Sequence, residues 1–290
     1  MPPAHHNRAV NKRDGRLGRS GHAVAISALL ACASLAVACQ HRPMADPSAA
    51  GPSFELHVPL SPVDVSRYRA ADLWIARSIG DRHKPLVLHL SGDSGRHGLD
   101  LLLFTAMTRW GYPVAIASSP SWAATLVDRM TTPQALARDL DRLSRAAARA
   151  AGLPEDQPFV LLGQSRGAGL SVEAASDPLL RERLCGIVAL GLCPLEERIH
   201  RNGKAGRPYR DKALLDDLPL EVIQSTHDQF LSAAAARRAF GPDTERQRFH
   251  HIEARSHTFV GNREALLEQL RDSLDRVSQP RHSPSPAEAP

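Results

Sequence analysis

Residues 159 to 169 read FVLLGQSRGAG. An apolar run ends in Gly163, and Ser165 then stands midway between Gly163 and Gly167 at a point where strand character gives way to helix character. Such a stretch has two readings. One is a tight turn in which the serine is incidental, since glycine and serine are common turn residues. The other is a nucleophile held in a sharp, strained bend, which requires small residues two positions away on each side. Gly163 and Gly167 meet that requirement. A helix starting just after the serine would also turn its free N–H groups and positive dipole end toward developing negative charge.

Working outward, strand-like and helix-like segments alternate from about residue 53. FELHVPL and ADLWIARS read as two early strands, and KPLVLHLSG (84–92) as a buried one. LDLLLFTAMTRWG is a helix stopped by Gly111, and PVAIAS is the fourth strand. In TTPQALARDLDRLSRAAARAAG, Thr132 is placed to cap, Pro133 occupies the first turn, leucines recur at 136, 140 and 143, and Gly152 is the stop. PFVLLG, GIVALGL, LEVIQST and RQRFHHIEA supply strands five to eight. Helices RGAGLSVEAAS, AAAARRAF and NREALLEQLRDSLDRV fall between and after them. Unbroken apolar strands alternating with helices predict one α/β domain, residues 53–277, with a mostly parallel sheet covered by helices on both faces.

A serine nucleophile needs a base, and the base needs an orienting carboxylate. The loop after LEVIQST supplies Asp228, and the loop between the last strand and the last helix supplies His257. Both lie at C-terminal strand ends, where open parallel sheets bind ligands. Asp216 and Asp217 precede their strand and belong to the opposite end, whereas His227 shares the loop of Asp228 and reads as a pocket wall. Serine, acid and histidine in this order are similar to the α/β-hydrolases. For an oxyanion hole, one amide is expected from Arg166 and the second from Asp93 or Ser94 in the glycine-rich loop HLSGDSGRHG. His250, His251 and Glu253 raise the question of a metal, but adjacent strand residues point to opposite faces. No metal or organic cofactor is expected. The same set of residues also admits a non-catalytic protein of this fold that uses its cleft to hold a partner.

LVLHLSGDSG, TTPQALARDLDRL, LLGQSRGAG, VALGLCP and STHDQF together resemble the VirJ/AcvB virulence-protein family of exported bacterial α/β-hydrolases, in order from about Pro85 to Leu274. The resemblance implies a periplasm-facing serine hydrolase. It also implies a substrate class, since some members cleave the aminoacyl ester of aminoacyl-phosphatidylglycerol, and an alternative role in assisting secretion by binding proteins. Two residues depart from the family: Gln164 stands where an aromatic is more frequent, and Arg166 is bulky beside the serine. The connection from Cys193 to Pro219 is long enough for a short lid after the sixth strand. Between 198 and 212 it carries Arg198, Arg201, Lys204, Arg207, Arg210 and Lys212 against Asp211 alone. Such a run suits an anionic phospholipid surface, and equally a solvated loop.

The N-terminus adds an address. A basic segment with Arg8, Lys12, Arg13, Arg16 and Arg19 precedes 17 uncharged residues, Ala23 to Cys39. With Ala36-Val37-Ala38 directly before Cys39, residues 1–39 read as an export signal resembling the lipoprotein type, in which Cys39 is acylated and anchors the chain to the membrane. The second such site at Cys32, a plainly cleaved signal and an uncleaved anchor remain open. Residues 40–52 read as a flexible linker and 278–290 as a disordered tail.

Of 36 Lys/Arg and 31 Asp/Glu in the 290 residues, the leader holds five and one, leaving 31 basic against 30 acidic. The pI of 9.3 is therefore largely a property of the leader. It gives no support to a nucleic-acid partner, and the expected partner, read from the serine motif and the resemblance, is a small-molecule or lipid ester. Cys185 and Cys193 bracket a strand that would hold them roughly 26 Å apart at about 3.3 Å per residue. A disulfide needs Cα atoms within about 7 Å, so the two are not expected to pair.

Overall fold

Every second residue of the strand Leu86–Leu90 faces a different layer. Leu86, Leu88 and Leu90 pack into one apolar cluster and Val87 into another. This alternation runs through the sheet and fixes the architecture. The computed structural model describes residues 53–59, 70–76, 83–124, 132–193 and 212–279. Among the described residues there are eight strands: β1 (Ser53–Pro59), β2 (Ala70–Ala76), β3 (Leu86–Leu90), β4 (Val114–Ala117), β5 (Phe159–Gln164), β6 (Leu184–Leu190), β7 (Leu220–Ser225) and β8 (Gln247–Ile252). They form one sheet in the order β1-β2-β4-β3-β5-β6-β7-β8. The β1–β2 and β2–β4 pairings are antiparallel, and every pairing from β4 to β8 is parallel.

The helices are α1 (Gly98–Arg109), α2 (Ser119–Ala124), α3 (Pro133–Ala151), α4 (Arg166–Ala175), α5 (Pro178–Arg181), α6 (Ala233–Phe240) and α7 (Arg263–Val277). One face of the sheet is covered by α3 and α4 through Leu136, Leu140, Leu143, Leu170 and Val172. On the other, α1 and α7 bring Leu103, Phe104, Met107, Leu266, Leu270 and Leu274 against Val114, Ile116, Leu162 and Val188. Burying a Leu or Phe side chain contributes roughly 1.5–3 kcal/mol, so these two layers hold the sheet between them.

Local signals match the expected elements. Thr132 Oγ1 accepts the Ala135 amide at 3.2 Å as the N-cap of α3, Pro133 opens the helix, and Gly152 ends it in a left-handed conformation (φ 78°). Strand β6 begins two residues before the expected GIVALGL, at Leu184. The junction of α3, β5 and β6 is tied by Arg183. It donates to Asp141 Oδ1 (2.7 Å), Ser144 Oγ (2.6 Å) and the Gln157 carbonyl (3.1 Å). Its guanidinium lies 5.1 Å from the Phe159 ring centroid. Burial alone would raise the Asp141 carboxyl, but hydrogen bonds from Arg145 and Arg183 together hold it below the usual carboxylate range.

Cys185 is the second residue of β6 and Cys193 lies three residues past its end; both are half-buried, and no disulfide joins them. The expected export signal with Cys32 and Cys39, the expected linker, the residues after 279 and the stretch 194–211, with five of the six cations of the basic run, lie outside the described residues. The sixth, Lys212, is engaged internally. Its Nζ donates to the Phe240 carbonyl at 3.0 Å and lies 4.2 Å from that ring's centroid, and burial lowers its pKa. Among the described residues no helix is long and apolar enough to cross a membrane.

Candidate active site

The parallel registers bring Leu90, Gly163, Ala189 and Val222 side by side, so β3, β5, β6 and β7 end along one edge. At that edge the chain turns from β5 into α4 at Ser165, whose backbone is forced to φ 53°, ψ −116°. A non-glycine residue in the left-handed half of conformational space is strained by about 1–3 kcal/mol and persists only where its surroundings impose it. Here the surroundings are visible. A Cβ at Gly163 would stand 2.4 Å from the Ala168 backbone, and one at Gly167 would stand 2.1 Å from the Leu90 carbonyl oxygen. The Ser165 amide donates to the Leu190 carbonyl (2.8 Å), and its own carbonyl accepts from Ala168 (3.0 Å) and Gly169 (3.2 Å). The glycines therefore allow α4 to pack backbone to backbone against β3, and the serine takes up the bend.

Asp228 follows β7 and is saturated with donors. Oδ1 accepts from the amides of Phe230 (2.8 Å) and Leu231 (3.3 Å), and Oδ2 accepts from Gln224 Nε2 (2.9 Å) and His257 Nδ1 (2.5 Å). His257 sits in the turn after β8, with its side chain 6% exposed. The ring is held on every side. Its amide donates to Gln229 Oε1 (3.0 Å), and Phe230 packs edge-on at a centroid distance of 4.9 Å. Gly191, at φ +60°, lies so close that a Cβ would fall 2.6 Å from Cε1. With Nδ1 committed to Asp228, the neutral ring presents Nε2 as its acceptor. That atom is buried and has no hydrogen-bond partner among the described residues. Two residues on, Phe259 is fully buried at φ 56° and anchors the turn. Ser165 and Phe259, the two non-glycines of positive φ among the described residues, thus lie in the elements that carry the serine and the histidine.

The loop after β3 runs beside the serine. Gly92 N-terminal to its tip stands with a Cβ position 3.5 Å from Ser165 Cβ, and the Gly95 amide closes a turn onto the Gly92 carbonyl (3.1 Å). Asp93 and Ser94 form the exposed tip of that turn, and Arg166 opens α4 opposite. Arg166 does not project as a lone cation, because its Nε is ion-paired with Asp93 Oδ1. Within β3, His89 Nε2 lies 3.0 Å from Asp100 Oδ1 in α1, both buried.

The remaining candidates separate. Asp216 and Asp217 are exposed ahead of β7, at the opposite end of the strand from Asp228, and Asp217 pairs with Arg181 (2.9 Å). His227 is exposed and lies 3.3 Å from Glu253. His250 turns instead to the buried Glu221 (2.5 Å), which Arg276 also meets at 3.0 Å, while His251 is exposed. His250 and Glu253 thus serve separate pairs. Gln224, Gln229 and Gly191 were not legible as site residues, since each matters only through a contact with a distant part of the chain.

No protein-family model matches the chain, and no curated protein matches it by sequence. Solved structures do. Est1E from Butyrivibrio proteoclasticus superposes with a TM-score of 0.56 at 11% identity, covering 77% of this chain and 98% of that one. A dienelactone hydrolase from Anabaena variabilis gives 0.56 at 16% identity, over 78% and 99%. XC6422 from Xanthomonas campestris, described as an α/β serine hydrolase without a lid, gives 0.50 at 16% identity, over 78% and 93%. The chain has the α/β-hydrolase fold.

Proposed function

We propose that the protein is an exported serine hydrolase that cleaves a carboxylic ester through Ser165, His257 and Asp228. The observation that carries the reading is the buried His257 ring, with Nδ1 on Asp228 Oδ2 and Nε2 without a hydrogen-bond partner among the described residues, taken together with a serine held at φ 53°. In the first step Nε2 takes the hydroxyl proton as Ser165 Oγ attacks the ester carbonyl, and the imidazolium then protonates the departing alcohol. The Arg166 amide and that of Asp93 or Ser94 receive the negative oxygen of the tetrahedral intermediate. Water, deprotonated by the same Nε2, releases the acyl group from Ser165.

The substrate follows from the resemblance to VirJ/AcvB and from the basic run. An aminoacyl ester of phosphatidylglycerol presents a small acyl group on an anionic surface. Arg201, Lys204 and Arg207 would draw the cleft to that surface, at roughly 1 kcal/mol per basic residue near it. Pairing of Arg166 with Asp93 removes the lone positive charge that would oppose a cationic acyl group. Acylated Cys39 would hold the domain at the same membrane.

A fluorophosphonate probe tests the chemistry: it should label the wild-type protein at Ser165 and leave Ser165→Ala unlabelled. Release of free amino acid from anionic vesicles carrying aminoacyl-phosphatidylglycerol tests the substrate. Labelling without release from any aminoacylated lipid would keep the hydrolase and discard the lipid.

A further inference from the structure

The two segments that supply the oxyanion amides are separate in sequence, and each contributes a side chain to one ion pair. Asp93 lies at the tip of the loop after β3, and Arg166 is the first residue of α4. The pair is asymmetric: the Asp93 side chain is 61% exposed and that of Arg166 only 15%. Beneath it the backbones already touch, because Gly167 has no room for a Cβ against the Leu90 and Ser91 carbonyls. That contact fixes the base of the loop but not its tip, which is closed by one turn bond from Gly95 to Gly92. An amide at the tip, aimed at an oxyanion, needs its position set to a few tenths of an ångström.

We infer that the Arg166–Asp93 ion pair is a positioning device that sets the width of the oxyanion hole, and so makes turnover depend on a partly exposed charge pair. The inference rests on the hydrolase reading above. It explains why a bulky arginine follows the nucleophile: its side chain reaches back across the cleft to the opposite loop. Since the oxyanion forms only after attack, loosening the tip acts on the transition state and not on substrate binding. An exposed partner also makes the device sensitive to salt, with a Debye length of about 3 Å at 1 M against about 10 Å at 0.1 M.

The test compares wild type, Asp93→Asn, Asp93→Glu, Arg166→Gln and the double variant Asp93→Asn/Arg166→Gln on a neutral soluble ester such as p-nitrophenyl acetate. Asp93→Asn should lower kcat about tenfold, less than the hundredfold or more that follows loss of a donor, with KM within about twofold of wild type. Asp93→Glu should recover most of the rate, and the double variant should be no slower than either single, as for two halves of one interaction. Raising salt from 0.1 to 1 M, on the order of a threefold change in screening length, should slow wild type and leave Asp93→Asn unchanged. Hydrogen exchange at residues 92 to 97 gives a readout independent of turnover and should quicken in Asp93→Asn. An unchanged kcat with unchanged exchange overturns the inference and leaves the hydrolase standing. A lower KM for anionic esters with kcat unchanged also overturns it, making Arg166 a substrate anchor that Asp93 masks. If Ser165 takes no fluorophosphonate and no ester is cleaved, the hydrolase reading and the inference fall together.

Discussion

Gly191→Ala should disable the site while leaving the domain folded. A Cβ at this position would lie 2.6 Å from His257 Cε1, 2.9 Å from Nδ1 and 3.4 Å from Nε2. Carbon atoms pack at about 3.5–4.0 Å, so the ring must retreat by about 1 Å. It cannot do so freely, with Asp228 bonded at Nδ1, Phe230 on its edge and the backbone held by Gln229. A shift of that size stretches the Nδ1–Oδ2 bond from 2.5 Å to the limit of hydrogen bonding. Misplacing a reacting group by about 1 Å costs roughly 100-fold in rate, or about 2.7 kcal/mol of barrier. The φ of +60° adds a strain of about 1–2 kcal/mol to the folded state for an alanine. The assay is kcat on a soluble ester beside the urea midpoint of the same preparation. A rate within threefold of wild type would refute the reasoning, as would a collapse of stability in step with activity.

Ser165→Ala and His257→Ala should each abolish hydrolysis, and the double variant should be hardly worse than either single in the same ester assay, because the residues act as a unit. Ser165→Gly should be inactive yet more stable to urea than Ser165→Ala, by about 1 kcal/mol, because glycine adopts φ 53° without strain. Asp141→Asn should cost about 1–3 kcal/mol at neutral pH, as expected for hydrogen bonds to a charged group. The sign follows from the depressed carboxyl: its contribution is full above the ordinary carboxylate range and is lost as pH falls through the lower folded-state value, so urea midpoints of variant and wild type should converge in acid. Cys39→Ser should block labelling by a lipid precursor and release the protein from the membrane fraction; unchanged labelling would transfer the anchor to Cys32.

Much of this could be read along the chain, because the determining physics was local. Thr132, Pro133 and Gly152 mark helix ends by their own backbone needs, and the spacing of Gly163 and Gly167 around Ser165 reports a bend that tolerates no side chains. Asp228 and His257 followed from strand order, since loops after parallel strands gather at one edge. What escaped notice is held by pairs far apart in sequence. Gly191 looks like the end of an apolar strand until the His257 ring is seen against it, 66 positions away. Gln224 reads as one more polar strand residue, yet it grips Asp228 Oδ2 and the Leu231 carbonyl from a fully buried site. The antiparallel edge formed by β1 and β2 was likewise undetermined, because an apolar pattern does not say which neighbour a strand will choose.

The sheet order has a consequence for how the protein would be lost on heating. The strands that lead into the site are the five consecutive ones β3, β5, β6, β7 and β8, and the histidine hangs from the last of them. Strand β8 is the edge of the sheet on this side and is half open to solvent, whereas β7 beside it is buried throughout. Edges open at lower free energy than the sheet interior. On the proposed mechanism His257 would therefore swing out of reach while β3 to β7 still stand, and catalytic half-life would run out ahead of the cooperative melt. Thermal inactivation of this chain would report the detachment of one border strand, and a staple placed there, between β7 and β8, would lengthen working life more than any improvement of the interior.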